Sequence, residues 1–140
     1  MSRIFLSTSF SNQVDEDGNI NPEFRQKIEK ILGKLESRGD SIFCALRQEN
    51  WKISKEANPS VFAKNDLDNV ESCDHLIVIL EPNVSAGAHI EIGYALAKGI
   101  KVTMTAQNDT TIPFFDVAIS GINNVGLILY QDIDELCRLL

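Results

Sequence analysis

One acidic side chain interrupts a helical segment that is otherwise apolar. The stretch SAGAHIEIGYALAKG, residues 85–99, reads as a buried helix, yet Glu91 stands in its middle. Small residues precede it at Ser85, Gly87 and Ala88, so the backbone there can approach a ligand closely. A helix N-terminus also offers free N–H groups to an anion or a hydroxyl. Two interpretations stay open: a carboxylate placed for chemistry, or a helix carboxylate stabilised by the dipole.

Two further carboxylates, Asp66 and Asp68, occur in the segment NDLDNVESCD. One interpretation makes them the solvated face of an amphipathic helix. The other places them in the same crevice as Glu91, because their helix leads into the central apolar strand. Two neighbouring carboxylates would divide the work of catalysis, one as a nucleophile and the other as an acid.

Length, composition and charge limit the classes of function. A chain of 140 residues predicts one domain, spanning 1–140. The net charge of −7, with no basic cluster, disfavours a nucleic-acid polymer or an anionic membrane surface as partner. No apolar run reaches the roughly 20 residues of a membrane span, and the segment MSRIFLSTSF has no signal-peptide h-region. We therefore expect a cytoplasmic protein that acts on small molecules or protein partners.

The residues that could bind a metal are few and scattered. Three cysteines, Cys44, Cys73 and Cys137, lie far apart in apolar contexts, which favours free thiols over a disulfide framework or a zinc site. The two histidines are separated in sequence, and we expect no metal and no cofactor. His89 is interpreted as incidental to the site. Trp51 is interpreted as a hydrophobic plug in preference to a cover for a ligand.

Apolar runs and helical patterns alternate along the whole chain, which indicates an α/β fold. An Asn21 cap and a proline at the first helical position mark one helix start, and Gly39 marks its end. HLIVIL is uninterrupted and apolar, as in the middle of a parallel sheet. The predicted strands are 3–10, 41–46, 75–80, 100–106 and 125–130, and the predicted helices are 21–39, 59–73, 85–99, 112–122 and 132–140.

Five strands in βα alternation predict a doubly wound parallel sheet with the flavodoxin-like order 2-1-3-4-5. In that order the loops after strands 1 and 3 meet at the topological switch point, where ligands bind. Those loops cover 7–12 and 81–91, so Glu91 is expected beside the ligand crevice.

Three segments together resemble the nucleoside 2-deoxyribosyltransferase superfamily, which includes the 2'-deoxynucleoside 5'-monophosphate N-glycosidases. They are RIFLSTSF, DLDNVESCDHLIVIL and SAGAHIEIGYALAKGIKV, and they cover most of the chain from strand 1 to strand 4. The third contains the pattern Ser-x-Gly-x-x-x-Glu-x-Gly-x-Ala. Asp66, eight residues before Asp74, adds to the likeness.

The resemblance implies an enzyme that cleaves an N-glycosidic bond. Glu91 would be the nucleophile and form a covalent glycosyl-enzyme, as in retaining glycosidases. Asp66 would hydrogen-bond or protonate the leaving base, because a base anion leaves poorly. A second base would then accept the sugar in a transferase, or water in a hydrolase. The predicted substrate-binding residues are Ser7, Ser9, Phe10, Asp68, Ser85, Gly87 and Asp116, with Ser85 holding the 5' end.

Two departures from the family bear on the substrate. The loop STSFSNQ lacks the Arg and Gly that the nucleotide hydrolases use around a phosphate. Where the family places a Ser or Asn from a neighbouring subunit, FFDVAISG offers Asp116, which repels a phosphate but accepts a hydrogen bond from a 5'-hydroxyl. These features favour a nucleoside over its monophosphate. The family likeness also implies a homodimer or higher homo-oligomer whose sites are completed across an interface.

Three other interpretations stay open. A TIR-like NAD glycohydrolase shares the type of sheet and a catalytic Glu on a helix. A nucleotide-sensing module would keep the fold without turnover. A flavodoxin-like domain of unrelated role is the third, because a fold alone does not fix a function. The sequence does not distinguish transferase from hydrolase, or ribose from 2-deoxyribose, and it does not name the base.

Overall fold

The computed structural model describes residues 1–10, 12–54, 58–80 and 85–140. Strands and helices alternate as the sequence predicts, except for one additional short helix after the second strand. The strands are β1 (Arg3–Thr8), β2 (Ser41–Phe43), β3 (His75–Ile79), β4 (Lys101–Gln107) and β5 (Val125–Tyr130). The helices are α1 (Pro22–Ser37), α2 (Ala45–Gln48), α3 (Pro59–Glu71), α4 (Ala86–Ala97), α5 (Phe114–Ile119) and α6 (Ile133–Leu139).

The five strands form one parallel sheet in the order β2-β1-β3-β4-β5, which confirms the predicted flavodoxin-like fold. β1 and β3 pair from Ile4 opposite His75 to Thr8 opposite Ile79. Their carboxyl ends therefore lie side by side, at the position where the strand order reverses.

Side chains alternate between the two faces of the sheet, and both faces are covered. Ile4 and Leu6 of β1 join a core with α1 and α6, whereas Phe5 joins a second core with α3, α4 and α5. Val70 and Ile92 anchor α3 and α4 on this second face. Burial of these two helices against the same face fixes the positions of the carboxylates that they carry.

Two predicted strands are shorter than expected. β1 ends at Thr8 rather than at residue 10, and β2 ends at Phe43 rather than at 46. β2 is an edge strand that pairs with β1 over three positions only. Beyond it the backbone turns into α2, where Gln48 and Glu49 donate to the carbonyls of Cys44 and Ala45 at 3.1 Å. Local helical hydrogen bonds thus replace sheet pairing.

The caps of the helices agree with the sequence. The Asn21 side chain accepts from the backbone N–H groups of Glu23 and Phe24 at the start of α1. The Ser85 hydroxyl accepts from the Ala88 N–H at 3.2 Å and so begins α4. In the described parts of the chain, no helix has the length and apolar character needed to cross a membrane.

The segment after α2 is held against the loop that precedes α1. Trp51 is buried, as the plug interpretation predicts, and the Arg25 guanidinium lies 5.0 Å from its ring centroid. The Ile53 N–H donates to the Gly18 carbonyl at 2.7 Å. Gly18 has a φ of +85°, and a Cβ there would lie 2.2 Å from the Ile53 carbonyl oxygen. Only glycine fits this contact between the two segments.

We expect Gly18→Ala to lower the free energy of unfolding by about 1–3 kcal/mol, because it adds a backbone clash to a positive φ. The measurement is chemical denaturation followed by circular dichroism. Gly33→Ala is the matched control: this glycine lies inside α1 with open space around it. The control should gain about 0.5–1 kcal/mol in stability. Equal stability of Gly18→Ala and the wild type would contradict the assigned contact.

Candidate active site

Glu91 lies on α4, and its carboxylate is held from the carboxyl end of β1. The buried Ser7 hydroxyl donates to Glu91 Oε1 at 2.7 Å. Glu91 also lines a cavity of about 460 Å³, within the size range of small-molecule sites. The carboxylate that the sequence singles out therefore faces the predicted crevice between β1 and β3.

The cavity is bounded by three parts of the fold. Its lining residues come from the end of β1, from the segment that follows α2, and from the facing sides of α3 and α4. They are Thr8, Phe10, Glu49, Ile53, Ser54, Pro59, Phe62, Ala63, Asp66, Leu67, Ser85, Gly87, Ala88, Ile90 and Glu91. The wall is mainly apolar, with a few polar groups, which is the usual make-up of a small-molecule site.

Asp66 on α3 shares the cavity with Glu91, as the sequence predicts. Burial raises the pKa of Asp66 to about 6, and the charge of Glu49 adds to the shift. Burial also raises the pKa of Glu91 to about 7; the Ser7 hydrogen bond opposes this shift and the charge of Asp66 adds to it. The two carboxyl groups therefore hold about one proton between them near neutral pH. Because the pKa of Glu91 is the higher of the two, this proton lies mainly on Glu91 in the free protein, and its transfer to Asp66 gives the ionised nucleophile and the proton donor that acid-assisted displacement requires.

The other predicted binding residues divide into two groups. Phe10, Ser85 and Gly87 line the cavity directly. Ser7 and Ser9 lie beneath it and act through other residues: Ser7 holds Glu91, and the Ser9 hydroxyl accepts from the Ser85 N–H at 2.9 Å. β1 and the residue that follows it thereby fix both the Glu91 carboxylate and Ser85 at the start of α4.

Two further predicted residues, besides Ser7 and Ser9, do not line the cavity. Asp68 lies on the outer side of α3, exposed, and accepts from Lys64 Nζ at 2.7 Å. Asp116 is buried, and both of its carboxylate oxygens lie 2.9 Å from His89 Nε2. Direct contact of either side chain with a substrate stays a prediction.

His89 has a structural partner that the sequence analysis missed. Its Nδ1 lies 3.2 Å from the Ser85 carbonyl oxygen, while its Nε2 faces Asp116 on α5. The imidazole thus joins α5 to the start of α4. No local sequence signal shows this, because His89 and Asp116 are 27 residues apart.

Glu49, Ile53 and Phe62 are cavity residues that the sequence analysis also missed. The two from the segment after α2 fall in a stretch without periodicity. The predicted strand order could have identified this segment. β2 lies next to β1, so the chain that leaves the carboxyl end of β2 starts at the same edge of the sheet as the crevice.

The family model described as nucleoside 2-deoxyribosyltransferase matches residues 18–129 of this chain. The fold is similar to that of the CMP N-glycosidase BcmB of Clostridium botulinum, with 23% identity, a TM-score of 0.72, and 98% of this chain and 96% of that chain covered. BlsM, solved in solution, has 22% identity, a TM-score of 0.80, and coverage of 97% and 85% respectively. A 2-deoxyribosyltransferase of Bacillus psychrosaccharolyticus has 17% identity, a TM-score of 0.67, and coverage of 96% and 89%. Comparison with curated proteins gives no match.

The raised pKa of Glu91 predicts how stability depends on pH. Since the folded protein disfavours the ionised carboxylate, stability is lost as the pH rises from the usual carboxyl value of 4.5 towards about 7. We expect Glu91→Gln to raise the free energy of unfolding by about 3 kcal/mol at pH 8 and by little at pH 4. The measurement is urea denaturation at both pH values.

Glu16→Gln is the control for this comparison, because Glu16 is exposed on the loop before α1. It should change the stability little at either pH. A Glu91→Gln protein no more stable than the wild type at pH 8 would show that burial of the Glu91 charge is not a cost to the fold.

Proposed function

The chain belongs to the nucleoside 2-deoxyribosyltransferase family, and from this premise we propose that it cleaves or transfers the N-glycosidic bond of a nucleoside through a glycosyl-Glu91 intermediate. The main support is one observation: Glu91, held by Ser7, shares an apolar cavity with the half-buried Asp66. The match to the family supports N-glycosidic chemistry in general. The roles of the two carboxyl groups are our assignment.

In the first step, the Glu91 carboxylate attacks the anomeric carbon of the sugar. The bond from this carbon to the base nitrogen breaks, and its electron pair goes to the base, which takes the proton of the Asp66 carboxyl. Protonation is needed because the base leaves poorly as an anion. The Ser7 hydroxyl favours this step, since its hydrogen bond stabilises the ionised form of Glu91.

In the second step, water or another base attacks the same carbon and releases Glu91. The Asp66 carboxylate accepts the proton that the attacking molecule loses, which restores the starting state of both groups. The negative Glu91 also stabilises the oxocarbenium-like transition states on either side of the intermediate. The burial that raises the pKa of both carboxyl groups keeps this exchange within the neutral pH range.

An uncharged nucleoside suits the cavity better than a 5'-monophosphate. Glu49, Asp66 and Glu91 all line it, whereas none of the described lining residues is Lys or Arg. A phosphate dianion would lose its hydration there without gaining a cationic partner. We assign Ser85 and Gly87, at the start of α4, to the sugar and its 5'-hydroxyl, because both line the cavity at the Glu91 end.

We expect the purified protein to release free base from a ribo- or deoxyribonucleoside, and Glu91→Gln to lower this rate on the order of 10³-fold or more. Asp66→Asn should cost about 10²–10⁴-fold, as for a lost general acid. The measurement is chromatography of a panel of nucleosides, their 5'-monophosphates and NAD, with and without a second free base. Mass spectrometry of the quenched protein should show the sugar on Glu91.

Asp134→Asn is the control, because this exposed carboxylate lies on α6 away from the cavity. Faster turnover of a monophosphate than of its nucleoside would contradict the substrate assignment. Cleavage of NAD alone would favour a NAD glycohydrolase. Binding of nucleosides without any product would favour a sensing module.

We further propose that the chain forms a homodimer or higher homo-oligomer. Large apolar side chains are exposed next to the site: Phe114 and Phe115 of α5 are 86% and 72% exposed, and Ile90 at the cavity wall is 60% exposed. Exposed aromatic side chains on a helix that is joined to the site through His89 and Asp116 suit an apolar protein interface. A second copy of the chain would cover it and narrow the entrance to the cavity.

We expect sedimentation equilibrium to give at least twice the mass of one chain for the wild type. A Phe114→Ser, Phe115→Ser double variant should shift the equilibrium to the monomer, because it removes the two most exposed aromatic rings of α5. Leu139→Ser removes an exposed apolar residue of α6, elsewhere on the surface, and serves as the control. A wild-type mass equal to one chain would contradict the proposal.

A further inference from the structure

We propose that Glu49 recognises the base and selects nucleosides whose base carries an exocyclic amino group, such as those of cytosine and adenine. The inference rests on the proposed function, since it takes the cavity as a nucleoside site. It adds a specificity residue and a substrate class that the family match does not supply.

Electrostatic contacts place Asp66 between the other two carboxyl groups of the cavity, since the charge of Asp66 acts on Glu91 and the charge of Glu49 acts on Asp66. The sugar must bring its anomeric carbon to Glu91, and the leaving base must meet Asp66. The segment after α2 contributes Glu49 and Ile53 to the same cavity, and α3 contributes Phe62. We therefore assign the base to the Glu49 side of Asp66, in the part of the cavity that these apolar side chains help to line.

The backbone of Glu49 is held in place at the C-terminal end of α2. Its N–H donates to the Ala45 carbonyl at 3.1 Å, and its carbonyl accepts from the Lys52 N–H at 3.2 Å. Trp51, two residues later, is buried, and its backbone N–H donates to the Leu46 carbonyl at 2.8 Å. A fixed backbone keeps the Glu49 side chain at the cavity and so suits it to discrimination.

The Glu49 carboxylate is available to a ligand. Within the described ranges of the chain, no Lys, Arg or His forms an ion pair with it. Its charge lies close enough to Asp66 to contribute to the raised pKa of that residue. Glu49 and Asp66 thus lie near each other on the wall of the cavity.

The two carboxyl groups present opposite hydrogen-bonding roles to a base. When the shared proton lies on Asp66, as the first step of the proposed reaction requires, Asp66 donates a hydrogen bond, whereas a carboxylate at Glu49 only accepts. Cytosine and adenine present the complementary pair, an amino group that donates and a neighbouring ring nitrogen that accepts. Uracil and hypoxanthine place a carbonyl oxygen where the amino group would be. That oxygen would face the Glu49 carboxylate with no hydrogen between them, so the base would lose the hydrogen bond to Glu49, an exposed residue at the rim of the cavity.

The test compares two pairs of substrates that differ by one group: 2'-deoxycytidine with 2'-deoxyuridine, and 2'-deoxyadenosine with 2'-deoxyinosine. If ribonucleosides are the better substrates, the corresponding ribose pairs are used. We expect the wild type to favour the amino member of each pair by about 10–100-fold in kcat/KM. Glu49→Gln should bring the ratio close to one, because a carboxamide can rotate to present either a donor or an acceptor.

Glu16→Gln is the control and should keep the wild-type ratio, since Glu16 is exposed outside the cavity. Thermal unfolding shows whether Glu49→Gln is folded, and Glu49→Ala replaces it if it is not. Equal rates for the two members of each pair in the wild type would overturn the inference. So would an unchanged ratio in the folded Glu49 variant.

Failure of the proposed function gives a different result, which is absence of base release from every nucleoside. In that case calorimetric titration of the wild type with the same pairs decides the inference on its own. Tighter binding of the amino members, lost in the Glu49 variant, would support it. Equal affinity for both members, or binding of neither, would overturn it.

Discussion

The hydrogen bond from Ser7 to Glu91 is the interaction on which the rest of the site depends. It joins the carboxyl end of β1 to α4. It also fixes the Glu91 carboxylate, whose ionised form is disfavoured by burial. A carboxylate in bulk water would titrate near its usual value and would be free to rotate. Here the apolar cavity raises its pKa to about 7, and the hydroxyl fixes one oxygen at 2.7 Å. The cavity and the Ser7 hydroxyl together therefore set both the protonation and the orientation of Glu91. The burial of this charge lowers the stability of the fold.

The surrounding structure serves to hold this arrangement. α3 and α4 pack on one face of the sheet through Val70 and Ile92, which sets the distance between the helices that carry Asp66 and Glu91. The third wall comes from an irregular segment, and its position depends on the close contact between Gly18 and Ile53. Irregular backbone beside a rigid sheet is the usual place for residues that set specificity. We accordingly assign base recognition to the irregular segment after α2 and bond cleavage to the residues of α3 and α4.

The electrostatic character of the cavity limits what it can bind. Its three carboxyl groups would repel an anion, yet two of them titrate near neutral pH and can exchange a proton with a ligand. The His89–Asp116 pair lies just outside and ties α5 to the first turn of α4. The exposed rings of α5 therefore sit on a helix that is joined to the site. A second copy of the chain bound to α5 would therefore contact the helix that the His89–Asp116 pair joins to α4.

The sequence by itself determined the fold and the two principal carboxylates. Apolar runs separated by capped helices are local patterns, and their alternation predicts a doubly wound sheet. The flavodoxin-like order 2-1-3-4-5 is one of the two common orders of such sheets, and it places Asp66 and Glu91 at one crevice. Only the tertiary structure decided which side chains reach it. It turned Asp68 outwards to Lys64, buried Asp116 against His89, and brought Glu49 to the wall. These outcomes depend on contacts between residues distant in sequence and on an aperiodic segment, and neither leaves a periodic signal in the sequence.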